Sequence, residues 1–409
     1  MRVTGRSFQT TSRRWPFRIG RWAALMGFTL MLFSGEVKAA SDEFSSAPDL
    51  SAKLEALQKK VDAMKTLWDS GNGLIVVQPA GKETNIKFGG LLQVQGDAGD
   101  AAGQFSDFNS VYLRRARLNA SGSFLENFSF RAELELSGSL PATVSAPKAL
   151  TPSMTDGYID WTAYQEFQAR AGQFKTPFGF EQLAADPALF TIERSLANDR
   201  LTLNRQLGAQ ASGSFFSKRV SYAGGAFNGS GMNIAGNDNK LFTGIVRISA
   251  RPLVGKLAGQ DASVDVGWDY YGTRDNSVTL TGLYASGFTG FRQGRSTDIQ
   301  AHWGPVDFWG EWILGAYQPA AKNSVGVWAQ GGYAQLAFYV LPKKIQVVAK
   351  GDYYDPNDSK GWDITRTGTG GINYYIKGND LKLQADVLRI KSEGVAVKTK
   401  YVLREQLMF

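Results

Sequence analysis

The stretch Val325–Pro356, VGVWAQGGYAQLAFYVLPKKIQVVAKGDYYDP, alternates in both of its halves. Ala334, Leu336, Phe338 and Val340 share one parity, and Tyr333, Gln335 and Tyr339 share the other. After the turn Leu341-Pro342-Lys343-Lys344, Ile345, Val347 and Ala349 oppose Lys350 and Asp352. A period of two over about ten residues describes a strand with one apolar and one polar face. Aromatic residues crowd the strand ends, at Phe338-Tyr339 and Tyr353-Tyr354. Such a hairpin suits a lipid-facing β-barrel, and it also suits a large soluble β-sandwich. The rest of the chain separates the two.

The N-terminus directs export. Arg13, Arg14, Arg18 and Arg21 precede the apolar run Trp22–Phe33, and Val37-Lys38-Ala39 places small residues at the −3 and −1 positions of a cleavage site. Residues 1–39 therefore read as a cleaved signal peptide, too short in its apolar run for a membrane helix of about 20 residues. They hold six Arg, one Lys and one Glu, so they supply +6 of the net +8 and leave +2 for the remainder. The basic balance is thus no argument for nucleic acid. With no cysteine and one histidine, the chain has no disulfide scaffold or thiolate metal site, and no cofactor is expected.

Residues 40–48 read as a linker. Leu50, Leu54, Leu57, Val61, Met64 and Trp68 then follow a 4-3-4-3-4 spacing, which predicts a short coiled-coil helix over 49–70. A helix this short is marginal alone in water, so it is expected to pair with copies of itself. Residues 71–85 read as a second linker, and 86–409 as a transmembrane antiparallel β-barrel.

From Ile86 onward sixteen candidate strands begin, near Ile86, Ser110, Phe128, Gly157, Phe167, Gln206, Arg219, Lys240, Ala262, Arg295, Val306, Val325, Ile345, Ile364, Leu381 and Val397. Roughly 20 residues each suits membrane strands of 9–11 residues plus connections. The connections alternate. Short turns lie at Leu125–Asn127, Gln165-Glu166, Ser217-Lys218, Gly304-Pro305, Leu341–Lys344 and Lys377–Asp380. Long loops lie at 97–109, 138–156, 175–205, 228–239, 273–294, 316–324, 355–363 and 391–396. The 252–261 connection reads as a longer turn and fits least well. Short turns on one side and long loops on the other are the outer-membrane pattern, which a sandwich has no reason to adopt. Tyr401, Leu403, Leu407 and the terminal Phe409 share a parity, so the last strand closes on an interfacial aromatic. The fold class is all-β, a barrel of about sixteen strands in the outer membrane of a Gram-negative bacterium.

Three stretches resemble the phosphate-selective porin O and P family: Val111-Tyr112-Leu113-Arg114-Arg115-Ala116-Arg117-Leu118, then Asp156-Gly157-Tyr158-Ile159-Asp160-Trp161 with Gly172-Gln173-Phe174-Lys175-Thr176-Pro177-Phe178-Gly179-Phe180-Glu181, and Gly371-Ile372-Asn373-Tyr374-Tyr375 with Leu381-Lys382-Leu383-Gln384. The resemblance runs from about residue 86 to the C-terminus. It implies a homotrimer of sixteen-stranded barrels that passes small anions such as phosphate, with the third loop folded inside. The chain departs from the phosphate-specific members after Glu181. Gln182, Leu183, Ala184, Ala185 and Asp186 stand where those members resemble one another in a Lys and a hydroxyl cluster. A high-affinity phosphate site therefore does not follow, and anion preference would rest on the wall arginines.

Anion selection in a wide pore needs cations on the inner wall and a narrowing. Polar parity nominates Lys398, Lys400 and Arg404 in the last strand, Arg247 and Arg251 in 241–251, and Arg131, Lys350 and Lys382 in theirs. In Arg114-Arg115-Ala116-Arg117 it puts Arg115 and Arg117 on one face and Arg114 on the other. The loop 175–205 is the expected constriction, with Lys175, Arg194, Arg200 and Arg205 beside Glu181, Asp186, Glu193 and Asp199. Arginine suits phosphate through its planar fork of donors. For each residue the competing role is a solvated wall position or a partner for a nearby carboxylate. Three other functions compete: a weakly selective porin, a tether holding peptidoglycan through the coiled coil, and a hydrolase built on His302.

Overall fold

The computed structural model describes residues 85–100, 109–137, 152–280 and 283–409, together with Glu55, 68–69 and 74–77. One compact unit runs from Ala63 to Phe409; the other, Met1–Asp62, lies outside the described residues except for Glu55. The signal-peptide, first-linker and coiled-coil readings therefore fall outside the described residues, apart from Glu55, which is helical, and the end of the coiled coil. There Trp68–Asp69 is strand, not helix, and pairs antiparallel with a strand at Leu74–Val77 inside the expected linker. The β-branched run Ile75-Val76-Val77 favours that pairing.

Sixteen long strands follow: β1 Asn85–Gly99, β2 Ser110–Phe124, β3 Phe128–Glu135, β4 Ser153–Trp161, β5 Gln168–Lys175, β6 Arg205–Phe215, β7 Val220–Phe227, β8 Thr243–Leu257, β9 Gln260–Leu280, β10 Tyr284–Trp303, β11 Val306–Pro319, β12 Val327–Leu341, β13 Ile345–Asp355, β14 Thr365–Lys377, β15 Leu381–Ser392 and β16 Lys398–Met408. Each pairs antiparallel with the next, and β16 pairs back onto β1, Lys400 opposite Gly99 and Leu407 opposite Leu92. The Leu74–Val77 strand continues along the same edge of β1, below the point where Phe409 bonds to Gly90. Closure leaves no unpaired edge for the hydrocarbon to meet.

In the opening hairpin Leu336, Phe338 and Val347 are exposed on the outer face, while Gln335, Gln346 and Lys350 are buried on the inner one. The same division holds on β16, with Tyr401, Leu403 and Leu407 outside and Lys400, Arg404 and Gln406 inside.

Two connections differ from the sequence reading. The supposed longer turn at 252–261 is a two-residue turn, Ala258-Gly259, at φ 50° and 79°. Two positive φ values match the strand twist in a tight hairpin, so this connection joins the short set. The expected loop 273–294 is largely strand: β9 runs 21 residues and β10 runs 20. Since about 9–11 residues cross a bilayer, this hairpin projects well past the membrane. Its polar residues face water on the loop side, which is why they read as loop. β4 also starts earlier than expected, at Ser153.

Candidate permeation pathway

The segment between β5 and β6 does not project outward. Its base is pinched where Thr176 N and Oγ1 both donate to Asn204 O, at 3.0 and 2.9 Å. Phe178 then turns into the lumen, edge-on to Tyr271 at 4.7 Å. Gly179, at φ 83°, starts the short helix α1 (Phe180–Leu183); a side chain there would meet Thr202 Cγ2 at 2.9 Å. Asp269 accepts from Gly179 N at 2.7 Å, and Glu311 from Phe180 N and Glu181 N at 2.8 and 3.0 Å. Two strand carboxylates thus hold N–H groups that a helix cannot satisfy internally.

The loop continues around the inner wall through a series of charged clamps. Glu181 accepts from Ser195 N and Oγ and from Lys350 Nζ, the last at 2.7 Å. Asp186 sits among Arg115 at 3.2 Å, Arg117 at 2.6 Å and Arg194 at 2.6 Å. Lys382 donates to Pro187 O and Leu189 O at 2.7 and 3.1 Å, and Asn373 to Phe190 O at 2.8 Å. Asp386 accepts from Ile192 N at 2.7 Å. Glu193 takes a two-pronged bond from Arg114 at 2.7 and 2.9 Å and another from Arg404 at 2.5 Å. Arg404 also donates to Ile192 O and Gln95. A second helix, α2 (Leu196–Leu201), is capped by Ser195 and leads back to β6.

Apolar packing reinforces the clamps. Phe178, Ala197, Leu201 and Leu203 of the loop pack with wall residues including Phe227, Ile245, Tyr271, Ile313 and Tyr317. Ile192 packs with Leu388, Ile390 and Val402. A buried core therefore occupies part of the lumen, and the passage is narrower than the strand number alone would give.

These contacts also show where the nominated cations stand. Arg114 departs from the parity assignment. Gln93 pairs with Arg115 and Val94 with Leu113, so Arg114 is the extra residue of a β-bulge. The bulge resets the alternation, so that Arg114 and Arg115 both reach the loop while Leu113 and Leu118 both face out. Arg115, Arg117, Arg194, Lys350, Lys382 and Arg404 are brought together as loop clamps. Lys175 donates to Ala184 O at 2.9 Å, and Arg205 bonds Asp156 at 2.8 Å. Arg131 pairs with Glu133 at 2.5 Å. Arg247 is shared by Asp269 and Asp298 at 2.7 Å each. Arg251, 46% exposed, pairs with Asp265 at 2.7 Å. Lys400 is buried on the inner wall, Lys398 is half-buried near it, and Arg200 stands apart on α2.

Parity could have found Arg170, which bonds Asp160 at 2.6 Å and lies over the Tyr158 ring at 3.9 Å. Arg292, paired with Asp275 at 2.7 Å, lies in the stretch that read as loop, so parity could not reach it. Gln182 braces the loop, donating to Asn204 Oδ1 at 2.9 Å and accepting from Asn198. His302 Nδ1 lies 2.8 Å from Asp307 Oδ1. Ser263 is its cross-strand neighbour, but no side-chain hydrogen bond joins the two.

Burial alone would raise the Asp186 carboxyl, yet Arg115, Arg194 and Arg117 hold it well below the usual carboxylate range. Burial likewise opposes ionisation of Glu193, and Arg114 and Arg404 overcome it and hold its carboxyl low. A depressed carboxyl contributes above its unfolded value and loses that contribution only as pH falls through the depressed one. This half of the clamp is therefore expected to stay closed from about pH 7 to about pH 4. Amide exchange at 186–194 measured across that range should stay slow; opening near pH 5 would contradict the assignment.

A closed sixteen-stranded barrel with short turns on one side and a loop folded inside defines an outer-membrane porin. The chain belongs to the phosphate-selective porin O and P family, whose model matches residues 88–409. An uncharacterized protein of Aquifex aeolicus (strain VF5) is 24% identical over 427 residues, spanning 93% of this chain and 99% of that one. The anion-selective porin from Comamonas acidovorans superposes with a TM-score of 0.57 at 11% identity, covering 80% of this chain and 100% of that one. The trimer form of OmpT from Vibrio cholerae superposes at 0.55 and 8% identity, covering 80% and 99%. At such identities the superpositions establish the fold alone. The Gln173–Glu181 stretch that carries much of the family resemblance is the pinch, inward turn and first clamp of the loop.

Proposed function

We propose that this porin is a passive diffusion channel with a mild preference for small anions, through which phosphate passes without a dedicated high-affinity site. The observation that carries this reading is the pairing of the lumen's charges. The clamp cations Arg114, Arg115, Arg117, Arg194, Lys350 and Arg404 each face a carboxylate, and Lys382 is spent on two loop carbonyls. An ion paired in a buried site offers a passing anion little, because capture would leave its partner unpaired. Mild preference falls to cations with a face open to lumen water: Arg131, Arg170 and Arg251. Membership of the family and the likeness to an anion-selective porin support the sign of that preference. Family membership also supports the outer membrane, the likeness to the trimer form of OmpT supports a homotrimer, and the N-terminal sequence supports export by a signal peptide.

Chloride conductance of the purified protein in a planar bilayer, titrated with phosphate, tests the reading. Phosphate is expected to leave the chloride current unblocked at micromolar concentrations; a block there would establish a dedicated oxyanion site and sink the proposal. In a salt gradient the reversal potential should indicate weak anion preference. Replacing Arg131 and Arg251 together by alanine should move it toward zero while conductance changes little.

A further inference from the structure

On the loop side of the barrel, a cavity of about 660 Å³ lies between α2, the β7–β8 loop and the projecting β9–β10 hairpin. That volume is within the range of small-molecule sites. Its lining includes four charged side chains, Asp199, Arg200, Asp238 and Arg292. Their formal charges cancel, but they are not equally committed. Arg292 is closed off by a two-pronged bond to Asp275 at 2.7 and 3.0 Å. Asp238 accepts from neutral donors, Asn276 N at 2.8 Å and Asn239 Nδ2 at 2.7 Å.

Asp199 and Arg200, consecutive on α2, are the pair left over. Asp199 accepts only a 3.4 Å contact from Asn198 and forms no ion pair among the described residues, with Arg194 and Lys350 acting on it at longer range. Arg200 is half-buried and forms no hydrogen bond or ion pair among the described residues. Tyr354 is 5% exposed, and its buried hydroxyl has no partner among the described residues. Elsewhere in this lumen arginines are matched by carboxylates. An unspent guanidinium beside an unspent carboxylate, facing one cavity, is the exception.

We infer that this cavity is a binding site for small zwitterions of the amino-acid type, taken up from the outer side before passage. An inorganic dianion would meet Arg200 but also face Asp199 and Asp238. A simple cation would face Arg200 and Arg292. A solute carrying a carboxylate and an ammonium satisfies both free groups, with the guanidinium fork accepting the carboxylate. The amide and hydroxyl groups of Asn276 and Ser230 add donors and acceptors for a polar side chain. The inference rests on the channel reading but not on its anion preference.

The test uses the full-length protein in planar bilayers with glutamine added on the loop side, and propionate, butylamine and inorganic phosphate as comparison probes. Glutamine is expected to produce transient, concentration-dependent current blocks that the other three do not. Arg200→Gln and Asp199→Asn should each weaken the block by about tenfold, as loss of one charged hydrogen-bonded contact would. Chloride conductance, measured in the same membranes, reports separately on the channel and on the integrity of each variant's barrel. Equal block by propionate would make the cavity a plain carboxylate site and overturn the inference. So would absence of glutamine block through a conducting channel, or a block indifferent to both substitutions. Absence of chloride conductance in the unaltered protein would instead defeat the channel reading itself.

Discussion

Excising residues 180–201 and bridging Gly179 to Thr202 with a short glycine–serine linker is expected to raise single-channel conductance severalfold. The excision removes both helices, the three-arginine carboxylate Asp186, and two of the loop's apolar core residues, Ala197 and Leu201. Wall cations that now hold the loop, such as Lys382 and Arg404, would be released into lumen water. The barrel should survive, because its closure depends on the strand ladder, with β16 on β1, and not on the loop. The loop base is already closed by the Thr176–Asn204 hydrogen bonds, so a short linker spans it without strain. An intact barrel of unchanged conductance would mean that the narrowest point is formed elsewhere.

The second large effect follows from Asp186→Ala. The Asp186 side chain is 3% exposed and receives Arg115, Arg117 and Arg194. Removing one member of a buried ion cluster strands the others and costs about 3–5 kcal/mol. Arg117 keeps Glu135 at 2.8 Å and Arg194 keeps two loop carbonyls, so the loss should weaken the clamp locally and leave the barrel folded. The expected readouts are open-channel current noise, a higher mean conductance, and faster amide exchange confined to the loop. Asp186→Asn retains an acceptor oxygen and should show the same changes more weakly. Slowed exchange, or equal loss of protection on every strand, would remove the clamp from the account.

The inner loop of this barrel is held by ion pairs and hydrogen bonds between residues far apart in sequence. Arg404 and Glu193 are separated by 211 positions, and Lys382 and Pro187 by 195. Apart from Arg114, the strand cations nominated by parity stand on the inner face, since alternation is a local property of a strand. It could not reveal that they face acids and carbonyls of one loop, because that depends on how the loop travels across the lumen. The anion-pathway expectation for Arg115, Arg117 and Arg404 grew from that gap.

Arg114 shows the limit of parity itself. A bulge inserts one residue and reverses every assignment beyond it, and nothing in Val111–Leu118 marks which residue is extra. The β9–β10 hairpin shows another limit. Outside the membrane a strand no longer needs an apolar face, so its polar sequence looks like loop until the ladder is seen.

The sequence by itself determined the sixteen strands, the alternation of short and long connections, the inner and outer faces, and the terminal aromatic. These follow from local periodicity and from the requirement that every backbone group in lipid be paired. Only the tertiary structure decided which charges are spent, where the lumen is filled, and that Asp199 and Arg200, which line one cavity, form no ion pair among the described residues. Those are matters of pairing across the barrel, where the partner of each charge is set by the path of the folded loop and not by the neighbours in its own strand.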